Sequence, residues 1–384
     1  MTPPRGFTDA EHGARLAAIQ AAMAGADLAA LLLTTAPEMR YVTGFLTRFW
    51  ESPTRPWFVV LPVEGDPVAV IPEIGEAPMR RAGVRDVRTW PSPQPADEGV
   101  GLLAHTLREV AGPAGRVGLP MGPETYLRMP LSDWDRLRAA CPALSFVGDD
   151  GLMRRQRMVK SPAEIAKIET ACAIAGRAFD RLPQIARAGV PLEAVFRGFQ
   201  ALCLEEGADW IPYLAGAAGQ EGYADVISPA TDTPLAPGDV LMLDTGLVHD
   251  GYFCDFDRNL AVGEPLSGAA AAHAQLLEAV EAGAAAVRPG ARAADLFAAM
   301  AAIVGAEGSV GRLGHGLGLS LTEPPSLTAT DETLLAPGMV LTLEPAVTLG
   351  PGRLMVHEEN VVVTDAGCRF LSPRATGPLP VLEG

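Results

Sequence analysis

Leu235-Ala236-Pro237-Gly238-Asp239-Val240-Leu241-Met242-Leu243-Asp244 returns one hundred positions later as Leu335-Ala336-Pro337-Gly338-Met339-Val340-Leu341-Thr342-Leu343-Glu344. Seven of the ten positions are identical, and the last pair matches in kind as Asp and Glu. Each copy reads as a Pro-Gly turn, an apolar strand and a carboxylate at the strand's end. Two such copies predict a pseudo-two-fold domain in which related strands point related carboxylates toward a shared centre. Pro-Gly turns before strands are common, so a shared turn and nothing more is the competing reading.

A second carboxylate follows each copy, Asp255 after Asp244 and Glu358 after Glu344. Each gap suits a hairpin, with turn formers across Gly246–Gly251 and at Gly350-Pro351-Gly352. Two hairpins then bring four carboxylates together. Between the copies lies Gly314-His315-Gly316-Leu317-Gly318, a histidine flanked by glycines that let a backbone approach closely. Four crowded carboxylates cannot all stay ionised uncompensated, because proximity and burial both raise their pKa values. Two divalent cations remove the conflict. Oxygen-rich ligation with one imidazole suits Mn first, with Co, Fe or Zn also fitting. Such a pair of metals can hold a bridging hydroxide and polarise a carbonyl. Singly, an Asp at a strand end is more often a cap or turn residue, and a Gly-His-Gly is usually a loop. The ordered set of five on a repeated frame is far more specific.

Outside the repeat, residues 9–25 have helical periodicity, and Leu28–Leu33, Trp57–Leu61 and Val68–Ile71 read as strands. A helix is expected near 123–140 and a strand around 144–147. Strands alternating with helices predict an α/β domain over residues 1–155, leaving 156–384 for the repeat-bearing domain. Near the junction, Ser161 and Glu164 form a capping-box pair with Pro162 at the first helical position, predicting a long helix to about residue 180. Segments 193–206, 268–287 and 292–305 read as further helices, with Gly189 and Gly290 in the short breaks before two of them.

The 384 residues suit two domains, and 48% hydrophobic against 20% charged residues is a globular balance. A net charge of −16 argues against nucleic acid or an anionic membrane as partner. Cys141, Cys172, Cys203, Cys254 and Cys368 are scattered, which suits free thiols in a reducing compartment. The first residues lack a signal peptide's apolar core, and no stretch reaches the roughly 20 apolar residues of a membrane span. A cytoplasmic protein is expected.

The chain resembles the pita-bread family that includes aminopeptidase P, prolidase, methionine aminopeptidase and creatinase. The residues that carry the likeness are Leu243-Asp244-Thr245-Gly246, Asp255-Phe256-Asp257-Arg258, Gly314–Gly318, Leu343-Glu344-Pro345 and Glu358-Glu359-Asn360. Arg157–Ile165 and Tyr41-Val42-Thr43-Gly44-Phe45 resemble the junction and N-domain signatures of longer members. The resemblance implies an α+β pita-bread catalytic domain behind a creatinase-like N-terminal domain. It implies that Asp244 and Asp255 hold one metal, that Asp255 and Glu358 bridge, and that His315 and Glu344 complete the second. It gives Glu344 an acid/base role, with His315 beside it in the catalytic set. Cleavage of a C–N bond in an Xaa-Pro dipeptide, and a homodimer, are the corresponding expectations.

Three positions depart from the family's peptidases. Thr322 stands where a substrate-contacting histidine is usual, Ile227 replaces a second one, and Val356 replaces an arginine. Threonine donates a hydrogen bond but cannot carry a proton as imidazole does. Ectoine hydrolase resembles this chain across Leu321-Thr322-Glu323 and Val356–Asn360, and dimethylsulfoniopropionate lyase is another metal-bearing offshoot. A small osmolyte-like substrate is therefore the alternative to a short peptide, and a non-catalytic binding protein is a third reading that loss of ligands would favour. Candidate substrate-binding residues are Thr322, His357, Trp50 and Arg55. Strand alternation turns His357 away from the face of Glu358, which favours a supporting or packing role. Trp50 and Arg55 sit on an aromatic, arginine-bearing loop that suits either a ligand or a dimer mate.

Overall fold

A computed structural model describes residues 2–52, 56–227, 230–305 and 311–382. The chain divides into two compact units, one spanning Pro4–Arg157 and one running from Met158 onward that also takes in Thr2 and Pro3.

In the first unit six strands make one mixed sheet: β1 (Ala30–Leu33), β2 (Phe58–Pro62), β3 (Val68–Pro72), β4 (Asp86–Trp90), β5 (Arg116–Leu119) and β6 (Ser145–Gly148). Their spatial order is β4-β3-β2-β1-β5-β6. β2 and β3 form an antiparallel hairpin across the Glu64–Asp66 turn, whereas β1 runs parallel to β5 and β5 to β6. β1 is buried at every position, which explains its unbroken apolar run. Leu103 and Leu107 of helix Val100–Ala111 and Leu137 of helix Leu131–Ala140 share a core with Leu32, Phe58, Val60 and Val117. The helix expected near 123–140 is shorter. It starts at Leu131 because Pro130 is its extended N-cap, and a residue preceding proline, here Met129, disfavours helical geometry.

The second unit holds β7 (Trp210–Gln220), β8 (Asp239–His249), β9 (Tyr252–Phe253), β10 (Phe256–Val262), β11 (His315–Gly316), β12 (Glu323–Ser326), β13 (Val340–Leu343), β14 (Ala346–Gly350), β15 (Arg353–Val356), β16 (Glu359–Thr364), β17 (Gly367–Phe370) and β18 (Val381–Leu382). One sheet has the order β18-β10-β8-β7 with β9 on β8, a second the order β12-β11-β13-β16-β17, and β14-β15 form a ribbon. The ten-residue repeat is a repeat in three dimensions. Gly238 N–H donates to Val262 O at 2.7 Å, and Gly338 N–H to Val363 O at 2.9 Å. Gly189 N–H donates to Leu235 O at 2.7 Å, and Gly290 N–H to Leu335 O at 2.9 Å. Each copy thus fixes the start of a strand to the break before a helix, Leu192–Glu205 in one half and Ala293–Val304 in the other.

The junction helix spans Pro162–Asp180 and carries the expected capping box. Glu164 also accepts from the buried Tyr252 hydroxyl at 2.8 Å, and Lys167 pairs with Asp250 at 2.6 Å. These contacts tie the helix to the β8–β9 turn, the loop between the first hairpin's two carboxylates.

Candidate metal centre

Each candidate ligand is placed by the local strand frame. Asp244 lies within β8 opposite Asp257 of β10. Asp255 and Glu358 each stand one residue before a strand, β10 and β16, and Glu344 one residue after β13. His315 opens β11, with its N–H donating to Thr342 Oγ1 at 3.0 Å. The flanking glycines are a packing requirement: a Cβ on Gly314 would stand 2.3 Å from Thr342 O, and one on Gly316 2.2 Å from Pro324 O. No other residue lets the histidine strand lie so close to its neighbours.

Asp255, His315 and Glu358 converge with ligand atoms all within 4.8 Å of one another, each at 4% exposure or less. Asp244 and Glu344 act on this trio through their charges and, as whole residues, are less completely buried than it. Burial, then the charges of Asp244 and Glu344, push the Asp255 carboxyl well above the carboxylate range. Glu358 is raised in the same way by burial and then by Asp255, Glu344 and Asp244. Asp244 is raised by burial and then by Asp257 and Glu344. Burial lifts Glu344 to about 7. The Arg312 guanidinium draws Asp255 and Glu344 downward but does not offset burial.

The donor set fits divalent cations. Asp244 Oδ1, Asp255 Oδ1 and Glu358 Oε1 are buried and accept no hydrogen bond among the described residues. Burial lowers the His315 imidazole to about 4, so it is neutral at pH 7. Its Nδ1 lies 2.9 Å from Gly316 O and must carry the proton to make that bond. The Nε2 lone pair then faces Asp255 Oδ2 at 3.4 Å. A lone pair aimed at a carboxylate oxygen is repulsive unless a metal ion, or a proton on Asp255, lies between them.

Residues outside the motifs complete the surroundings. Tyr213 on β7 lies beside Asp244, and burial followed by the Asp244 and Asp255 charges raises its phenol well above the usual range. Nothing in the run Trp210-Ile211-Pro212-Tyr213 marked it beforehand. Glu323 pairs with Lys160 at 3.1 Å, both buried, and accepts from Ser320 N–H at 3.0 Å. That pair fixes the segment carrying Thr322, which is half-buried in a bend after the histidine strand. Ile227 is 76% exposed. His357 is buried, with Nδ1 3.0 Å from Asp257 Oδ1 and Nε2 3.3 Å from Glu359 Oε1. Nδ1 is engaged by Asp257, and Nε2 is buried beside Glu359 without hydrogen-bond geometry, so the ring is enclosed by the protein. In the first unit, Trp50 packs against Trp57 with ring centroids 6.0 Å apart, and the Arg128 guanidinium lies 5.2 Å from its ring. Arg55 lies outside the described residues.

Residues 166–365 match the model of metallopeptidase family M24, and residues 15–159 that of the creatinase/prolidase N-terminal domain. The "Probable dipeptidase PepE" of Mycobacterium tuberculosis is 30% identical over 370 residues, covering 94% of each chain. An Xaa-Pro dipeptidase of Pyrococcus furiosus is 29% identical over 230 residues, 58% of this chain and 65% of that one. Among solved structures, dipeptidase PepE from Mycobacterium ulcerans superposes with a TM-score of 0.84 at 30% identity, covering 99% of this chain and 100% of that one. A prolidase from Thermococcus sibiricus shares the fold at a TM-score of 0.86 and 22% identity, covering 98% and 100%.

Proposed function

We propose that this chain, which belongs to metallopeptidase family M24, is a hydrolase of C–N bonds whose substrates are short peptides of the Xaa-Pro type. The observation that carries the reading is the convergence of buried Asp255, His315 and Glu358 with carboxylate oxygens left unpartnered. Asp244 and Glu344 complete the set that would hold two divalent ions, with Mn as the first choice for oxygen donors and one imidazole. Such ions supply Lewis acidity and lower the pKa of water.

The protein's own groups do the rest. Glu344, one residue after β13, would take a proton from the attacking water and return it to the departing nitrogen. Its carboxyl, lifted toward neutrality by burial, can hold that proton between the two steps. The Tyr213 phenol, beside Asp244, would steady that carboxylate when it is ionised. The Lys160–Glu323 pair holds the segment that presents Thr322, which can donate a hydrogen bond to substrate. The relatives' names support a dipeptide substrate. A homodimer is the assembly the family likeness suggests, and five free cysteines support a reducing cytoplasm. No helix among the described residues is long and apolar enough to cross a membrane.

A second reading rests on Thr322, Ile227 and Val356. With Ile227 exposed and His357 enclosed, neither supplies a free imidazole for peptide handling. A small osmolyte such as ectoine is the corresponding substrate. The deciding experiment loads the purified chain with Mn and offers an Xaa-Pro dipeptide panel beside ectoine and dimethylsulfoniopropionate. Proline-peptide turnover is expected, and Glu344→Gln is expected to lower its rate at least about 100-fold at unchanged fold. Turnover of an osmolyte with none of any proline peptide transfers the assignment to the second reading. A near-native rate in Glu344→Gln removes that residue from its role.

A further inference from the structure

We propose that Asn259 and Asn360 are positioning residues, a reciprocal pair of side-chain clasps that sets the spacing of Asp255 and Glu358. The proposal rests on the metal-binding reading of those two carboxylates. The eighth residue of each repeat copy, Met242 and Thr342, pairs across its hairpin with Asn259 and Asn360 respectively. The two asparagines are therefore equivalent positions of the two halves. Each side chain reaches out of its own sheet and grips backbone in the other half.

Asn360 Nδ2 donates to Asp255 O, while Asp255 N–H donates to Asn360 Oδ1 at 3.0 Å. Asn259 Nδ2 donates to Val356 O at 2.7 Å. Its Oδ1 accepts from the Tyr223 hydroxyl at 3.0 Å, and that hydroxyl oxygen accepts from Val356 N–H at 2.9 Å. Asp255 and Val356 each stand four positions before the equivalent asparagine. Each asparagine thus holds both polar backbone groups of the corresponding residue opposite, once directly and once with Tyr223 filling the gap. Between the two clasps, Asp257 Oδ1 accepts from Glu358 N–H at 3.0 Å.

The three contacts, 255 with 360, 257 with 358 and 259 with 356, fall at every second residue in opposite chain directions. β10 and its preceding residue therefore run antiparallel to the segment Val356–Asn360. Yet β10 and β16 belong to different sheets. Side chains bridge the seam that backbone pairing leaves open. All of them are buried: Asn360 at 0% exposure, Asn259 at 3%, Asp257 at 0% and Tyr223 at 2%. An amide alone among small side chains presents one donor and one acceptor in a plane, matching the C=O and N–H of a single residue. Asp255 and Glu358 repel one another across this seam, and the clasps oppose their drifting apart. Groups that orient ligands in this manner commonly govern metal affinity.

The test titrates Mn2+ into the metal-free full-length chain by calorimetry, with far-UV circular dichroism and thermal unfolding recorded separately. Asn360→Ala and Asn259→Ala are each expected to bind Mn2+ about 10–100-fold more weakly while keeping the wild-type spectrum. A residue with only a structural role would lower the unfolding temperature and leave the affinity of the folded molecules unmoved. A folded Asn360→Ala chain with wild-type affinity overturns the clasp and leaves the metal reading standing. If that variant does not fold, the isosteric Asn360→Asp, which lacks the donor to Asp255 O, is judged by the same criterion. A wild-type chain without saturable Mn2+ binding overturns the metal reading and the clasp with it.

Discussion

Asp244 has a potential hydroxyl donor beside it that its own hairpin does not supply. The donor is Tyr213 on β7, where the backbone pairs with Gly246, two residues beyond Asp244. A hydrogen bond from that hydroxyl to Asp244, ionised in a loaded site, would contribute ~1.5–3 kcal/mol. Tyr213→Phe should therefore weaken Mn2+ binding by about tenfold or more, since each 1.4 kcal/mol corresponds to about a factor of ten. Calorimetric titration of the variant checks this, and an unchanged affinity would take Tyr213 out of the site. The five candidate carboxylate and imidazole ligands stood out in the sequence because each sits beside a strand signal or between glycines, and the structure groups Asp255, His315 and Glu358. Tyr213 was not, because Pro212 and the glycines of β7 conceal a strand whose alternation never emerges. Asn259 was equally silent, and Asn360 stood out only as the end of a family motif, not as a clasp. Their partners lie across a seam between sheets, and no local periodicity encodes such a contact.

At the scale of elements, two neighbouring residues separate a strong effect from a weak one. Ser161 caps the helix Pro162–Asp180 by accepting from Glu164 N–H at 3.2 Å, and removing such a cap costs ~1 kcal/mol. Lys160, one residue earlier, is buried with its ammonium 3.1 Å from Glu323. Deleting one partner of a buried pair leaves the other charge uncompensated, at ~3–5 kcal/mol. Lys160→Ala should accordingly destabilise the chain several-fold more than Ser161→Ala, as read from urea midpoints of the two variants. Equal losses would mean that Glu323 finds water or another partner. The capping box was readable from four residues because its chemistry is local. The Lys160–Glu323 pair joins positions far apart in the chain and needed the fold. The shortened helix Leu131–Ala140 makes the same point from the other side, since periodicity extended it past Pro130 where backbone sterics stop it.

For the whole molecule, crowded carboxylates make stability depend on pH in a direction that can be derived. In the metal-free chain Asp244, Asp255 and Glu358 are raised well above their ordinary values and Glu344 to about 7 from 4.5. Above those ordinary values the unfolded chain has released protons that the folded chain still holds. Folding stability then falls as pH rises. His315 and His273, each lowered from 6.5 to about 4, and the lowered His12 act oppositely, but their contribution fades about one pH unit above 6.5, where each is neutral in both states. Between about pH 6.5 and 8 the raised carboxylates, joined by His357, where Asp257 and Glu359 outweigh burial and raise the pKa, set the downward slope, with Glu344 completing its share near 7. The unfolding temperature of the metal-free chain should therefore decline across that interval. Mn2+ binds the folded state and competes with the same protons. Its stabilisation, ~2.7 kcal/mol per site at a hundredfold excess over Kd, should grow as pH rises. Calorimetric melts with and without Mn2+ at the two ends of the interval measure both quantities. A metal-free unfolding temperature that climbs with pH, or a Mn2+ increment that is the same at both ends, would show that these carboxylates are not the groups whose protons the cations displace.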